Sequence, residues 1–157
     1  MTRVYSVGLA VIRNNIATPG GNMGAWAEDA LGNDAACDWI SLFLRDPQLR
    51  TIGKPISAVL CARGCIPVDT ACNCLAACEV IARLQGQWGL KNSYSRELDS
   101  WIESNPIVVP DALKKSADSA IDKILGPDSE LAELWDEGGY NETWHDSVAD
   151  LQQRIFG

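Results

Sequence analysis

Residues 69–84 read Asp-Thr-Ala-Cys-Asn-Cys-Leu-Ala-Ala-Cys-Glu-Val-Ile-Ala-Arg-Leu. Asp69 or Thr70 serves as a helix N-cap, and Gly86 as a stop. Between them, Ala71, Cys72, Leu75, Ala76, Cys78, Val80, Ile81 and Ala82 leave almost no polar face. A helix that is apolar nearly all round is packed on several sides. Its Ala and Cys side chains are small, so neighbours can approach closely. The stretch therefore predicts a central helix with others around it. Glu79 interrupts the apolar run. A buried carboxylate needs a partner, and Arg83 one turn on, or a Trp indole, is a candidate. As a general base, Glu79 has no second catalytic group beside it in sequence.

Helical signals continue on both sides. Asn33-Asp34 caps a helix near 34–45 with Ala36, Trp39 and Phe43 on its apolar stripe, stopped before Pro47. Pro55 opens a second helix through Ile56, Val59 and Leu60, ending near Gly64. Ser95 caps a short helix with Leu98, Trp101 and Ile102. Pro110-Asp111 opens another, with Ala117, Ile121 and Ile124 on one face, and Gly126-Pro127 ends it. Asp128 or Ser129 caps a helix that turns Leu131, Leu134 and Trp135 inward. Asn141 caps the last, where Trp144, Val148, Leu151 and Ile155 form one stripe. Strand alternation is confined to residues 4–12. The expectation is an all-α, compact single-domain bundle of about five to seven helices over 23–157. Residues 1–22 are read as a non-core N-terminal extension, flexible or adding an edge strand, with its Pro19-Gly-Gly21 turn. Its apolar run ends at Arg13, too short for a signal peptide.

The chain has 157 residues, of which 46% are hydrophobic, and this suffices for one domain with a core. No apolar run is long enough to span a membrane. The net charge is -8, which disfavours a phosphate backbone as a direct partner. The imbalance is uneven. Residues 1–110 carry 10 acids and 9 bases, whereas 111–157 carry 11 acids and 4 bases. Asp128, Glu130, Glu133, Asp136, Glu137, Glu142, Asp146 and Asp150 follow one another without an intervening Lys or Arg. Such a run is either a solvated face that confers solubility or a docking face for a cationic partner.

Of six cysteines, Cys61, Cys65, Cys72, Cys74 and Cys78 fall close together. Their spacings lie in helical, Ala-rich sequence rather than in paired CxxC knuckles. Small buried hydrophobes are the plain reading, consistent with a reducing cytoplasm. The alternatives are a disulfide among these cysteines and a metal-binding or redox domain using Cys72, Cys74 and Cys78 with Cys61 or Cys65. His145 is the one histidine, and Glu142 with His145 makes a single ExxH, half of what a di-iron bundle requires. Phosphate-binding glycine loops and HExxH are absent. No catalytic residue and no cofactor is therefore expected. Trp26 and Trp88 lie outside the predicted apolar faces and are available as interface anchors, and Trp135 is a further candidate anchor.

Four segments in order carry a resemblance. Met23-Gly-Ala-Trp26 with Asn33-Asp-Ala-Ala36 and Asp38-Trp39, then Ala76-Ala-Cys-Glu-Val-Ile-Ala82, Ser129-Glu-Leu-Ala-Glu-Leu-Trp135, and Trp144 through Arg154 resemble bacterial domain-of-unknown-function family 4259. The likeness covers about residues 23–156. The family often has Ala where this chain has Cys78, which favours packing for the cysteines. It implies no established activity. By analogy of size, acidity and helicity, the expected function is that of a non-enzymatic immunity protein. It would neutralise a cognate basic toxin domain, such as a nuclease, without nucleic-acid or membrane contact. The expected contacts are Asp128, Glu130, Glu133, Asp136, Glu137, Glu142, Asp146, Trp88 and Trp135.

Overall fold

The structure, a computed structural model, describes residues 29–157. The expected extension over 1–22, its strand, and Met23 and Trp26 lie outside the described residues. Seven helices follow: α1 (Asp34–Arg45), α2 (Leu49–Leu60), α3 (Val68–Leu84), α4 (Arg96–Ser104), α5 (Asp111–Leu125), α6 (Glu130–Glu137) and α7 (Asn141–Arg154). The fold is all-α, as the apolar periodicity predicts. Among the described residues the β geometry is one parallel bridge, in which the Ile66 N–H donates to the Asp128 carbonyl at 2.9 Å. The Glu130 N–H returns to the Ile66 carbonyl at 3.0 Å.

α3 packs against each of the other six helices. Every residue from Cys74 to Arg83 is buried, as a helix without a polar face must be. Ala71, Ala76, Ala77 and Ala82 present little bulk, so α2 and α1 lie close on either side. The outer helices show one-sided burial. Trp144, Val148, Leu151 and Ile155 of the α7 stripe are all buried. Phe43 links two elements, stacking on Trp39 at 5.5 Å and meeting Trp101 edge-on at 5.3 Å.

Caps differ from the sequence reading where a tertiary partner intervenes. Asn33 caps α1, accepting from the Ala36 N–H at 2.8 Å, and Ser129 caps α6, accepting from the Ala132 N–H at 3.3 Å. α3 instead begins after Pro67, and its Val68 N–H donates to Glu130 Oε1, 62 residues away. Ser95 precedes α4 but turns its hydroxyl to Asp99 Oδ2 at 2.7 Å. Tyr140, not Asn141, holds the N-cap position of α7.

Pro55 lies inside α2, not at its start. Proline is favoured at a first turn because its missing N–H is unneeded there. Here the apolar stripe Ile52, Ile56 and Val59 crosses it, and all three are buried. Burial of that stripe outweighs the hydrogen bond that Pro55 forgoes. The C-terminal end of α2 is closed from outside: Lys123 Nζ donates to the carbonyls of Val59 at 3.1 Å and Ala62 at 3.2 Å. A cation there also complements the helix dipole.

Candidate functional site

Two charged features stand out, one buried and one exposed. The buried one is built on Glu79. Arg83, one turn on along α3, donates Nε to Glu79 Oε2 at 3.0 Å. It also pairs with Asp99 of α4 and donates to the Leu90 carbonyl at 2.7 Å. Arg154, in the last turn of α7, reaches the same carboxylate through both guanidinium ends, at 2.7 Å to Oε2 and 2.9 Å to Oε1. It also donates to Gln87 O at 3.1 Å and to Asp150 Oδ2 at 2.9 Å. Burial alone would lower the pKa of Arg154. The Glu79 hydrogen bonds and charge, with Asp150, more than offset this and hold it above the ordinary arginine value. Helix i,i+4 spacing foretells Arg83, whereas Arg154 lies 75 residues from Glu79 and no local pattern points to it.

Gly89 seals this network. A Cβ at Gly89 would lie 2.8 Å from Glu79 Oε2 and 3.1 Å from the Arg154 guanidinium nitrogens. A cavity of about 180 Å³ adjoins, lined by Glu79, Arg83, Arg154, Asp150, Trp135 and Trp144 among others. Both arginines beside it are already bound to carboxylates and carbonyls. The arrangement is that of a cross-link between α3, α4, α7 and the 87–90 loop, with Glu79 held on several sides as a charged acceptor.

The exposed feature is the acidic face. Asp128, Glu130, Glu133, Asp136 and Glu137 of the α6 region, and Glu142 and Asp146 of α7, are all exposed. Among the described residues none of the seven forms an ion pair. Three bases of the C-terminal segment are engaged elsewhere. Lys123 is engaged on the end of α2, Arg154 on Glu79 and Asp150, and Lys114 on Asp111. The seven exposed carboxylates have no ion-pair partner among the described residues.

Of the three expected tryptophan anchors, Trp26 lies outside the described residues, Trp135 is buried and Trp88 is half-buried. Trp135 is only 8% exposed, stacked on Trp144 at 6.3 Å with an interplanar angle of 6°. It is a core residue, because α6 must bury its one apolar stripe against α7. Trp88 is half-buried, and Lys91 Nζ sits 4.1 Å from its ring centroid, so one face is covered.

The cysteines separate into two groups. Cys61 and Cys65 are exposed, and Cys72, Cys74 and Cys78 are buried in α3. Burial and Asp69 push the Cys72 thiol up to about 12. A hydrogen bond with Cys74, then burial, hold the Cys78 thiol well above its ordinary value. Partial desolvation and the carboxylates of Glu133, Glu130 and Asp128 raise Cys65 as well. Among the described residues no three His, Cys, Asp or Glu side chains are grouped to hold a metal ion, so Cys72, Cys74 and Cys78 find no ligand set with Cys61 or Cys65. His145 packs edge-on against Trp144 at 5.2 Å. Among the described residues no helix is long and apolar enough to cross a membrane.

A family described as a domain of unknown function, DUF4259, matches residues 24–147, and the chain belongs to that family. No curated relative and no solved structure matches the sequence.

Proposed function

We propose that this member of the DUF4259 family is a non-enzymatic binding protein, an immunity protein that neutralises a cognate basic toxin domain through the acidic face of α6 and α7. The single observation that carries this reading is the uncompensated exposure of Asp128, Glu130, Glu133, Asp136, Glu137, Glu142 and Asp146. Carboxylates of one sign on adjoining helices complement the Lys and Arg that line a nucleic-acid-cleaving cleft. Such complementarity accelerates encounter and selects the partner more than it deepens affinity. Glu79 is held by two guanidinium groups, which gives that buried carboxylate a structural use.

The test is co-expression with the product of the neighbouring gene, followed by purification at low salt. Co-purification that weakens as salt rises, and that is lost when Glu133 and Glu137 are changed to Lys, supports the proposal. A stable complex indifferent to both changes rejects the acidic face as the docking surface. Absence of any complex, with the partner's activity unaffected by this protein, rejects the immunity role.

A further inference from the structure

We infer that the exposed ring of Tyr140 is the aromatic contact of the acidic face, and that it receives an arginine side chain of the basic partner. The inference rests on the acidic-face reading and assigns its anchor. Interfaces concentrate their binding energy on a few aromatic residues surrounded by weaker polar contacts. Among the described candidates, Trp135 is buried and Trp88 is half-buried with one face covered by Lys91. Tyr140 is 56% exposed, in the turn between Glu137 of α6 and Glu142 of α7.

Its position is fixed from below. The Tyr140 N–H donates to the Trp135 carbonyl at 3.1 Å, and its ring meets Trp135 edge-on at 6.5 Å and 86°. Gly139, at φ +81°, makes the turn that a side chain there would strain. Asp136, Glu137 and Glu142 flank the turn in sequence and are exposed. An exposed aromatic ring in a turn flanked in sequence by exposed carboxylates suits a cation that is also planar. Guanidinium stacks flat on the ring while its in-plane N–H fork binds carboxylate bidentately, a geometry that favours it over the compact ammonium. The charge complementarity selects a cationic side chain, and the ring selects arginine among cations.

The probe is a hexa-arginine peptide, with hexa-lysine as the comparison. The chain has 3 tyrosines, so fluorotyrosine labelling gives few, separable fluorine resonances. Saturable shift of the Tyr140 resonance by hexa-arginine, with weaker response to hexa-lysine, is expected. Tyr140→Leu should weaken binding about fivefold while the thermal midpoint stays close to that of the parent, and Tyr140→Phe should retain binding. The inference is overturned by no shift of the Tyr140 resonance, or by Tyr140→Leu binding as tightly as the parent. If the latter occurs while Glu133→Lys with Glu137→Lys abolishes binding, the acidic-face reading stands without Tyr140. Equal response to both peptides overturns the preference for arginine.

Discussion

Arg154, in the last turn of α7, closes a bidentate ion pair on Glu79 in the middle of α3, with both nitrogen–oxygen distances under 3 Å. The carboxylate is shared with Arg83, itself 2% exposed, so the chain's C-terminal helix is bolted to its central one through a desolvated charge. That bolt sets where α7, and the carboxylates on its outer side, sit on the molecule.

Truncating Arg154 to Met leaves Glu79 buried with Arg83 alone. Removing one partner of a buried pair costs about 3–5 kcal/mol. Urea unfolding followed by tryptophan emission should show that loss. The double change with Glu79→Gln should cost less than the sum of the singles, since the two groups act on each other. Strict additivity would show that the contact is not energetically coupled.

Gly89→Ala tests the seal on the same network. The new methyl would need the space 2.8 Å from Glu79 Oε2. Glu79 cannot swing aside without giving up its arginines, so a loss of roughly 1–3 kcal/mol is expected, as for other overpacked sites. Gly53→Ala is the control, because its nearest neighbour there is Leu113 at 3.8 Å, an ordinary contact. A parent-like midpoint for Gly89→Ala would contradict the close approach.

Glu130 has a second task that its acidic neighbours lack. Its Oε1 accepts from the Val68 N–H at 3.2 Å and caps α3 from across the fold. Glu130→Ala should therefore cost about 0.5–1 kcal/mol of stability, in the range of an ordinary N-cap. Glu137→Ala, outside the first turn of α6, should cost almost nothing, and Glu133→Ala no more than the few tenths of a kcal/mol of a first-turn carboxylate. Thermal melts of the three variants decide this, and equal midpoints would deny Glu130 its capping role.

Thiol reactivity reports the field of the acidic face. Cys65 is exposed, yet partial desolvation and Glu133, Glu130 and Asp128 raise its pKa above the ordinary value. A raised thiol pKa means less thiolate at any pH below it, so alkylation of Cys65 should lag and its pH profile should move upward. Glu133→Gln removes one raising charge and should accelerate alkylation at fixed pH. Added salt should shrink the difference by screening. Cys72, pushed up to about 12 and buried, should react only on unfolding. Mass spectrometry of the labelled cysteines gives each rate. A Cys65 rate insensitive to both Glu133→Gln and salt would remove the electrostatic account.

The sequence was sufficient wherever a property is local and periodic. The apolar circumference of residues 71–82 determined that α3 is central, because such a helix has no side to give to water. The stripe from Trp144 to Ile155 determined the buried side of α7, and Asn33 and Ser129 determined two helix starts through their own side chains. Tertiary structure decided what depends on groups distant in the chain. Pro55 sits mid-helix because the buried stripe continues through it. α3 is capped by Glu130, and Glu79 is held by Arg154, because folding brings together residues 62 and 75 positions apart. The same distance effect sharpened the charge. Composition gave an excess of acids in the last third, but only the fold engages Lys123 and Arg154 elsewhere, buries Trp135 and leaves Tyr140 in the open among carboxylates. Periodicity encodes which side of a helix faces inward, whereas the pairing of charges is fixed by which helices meet.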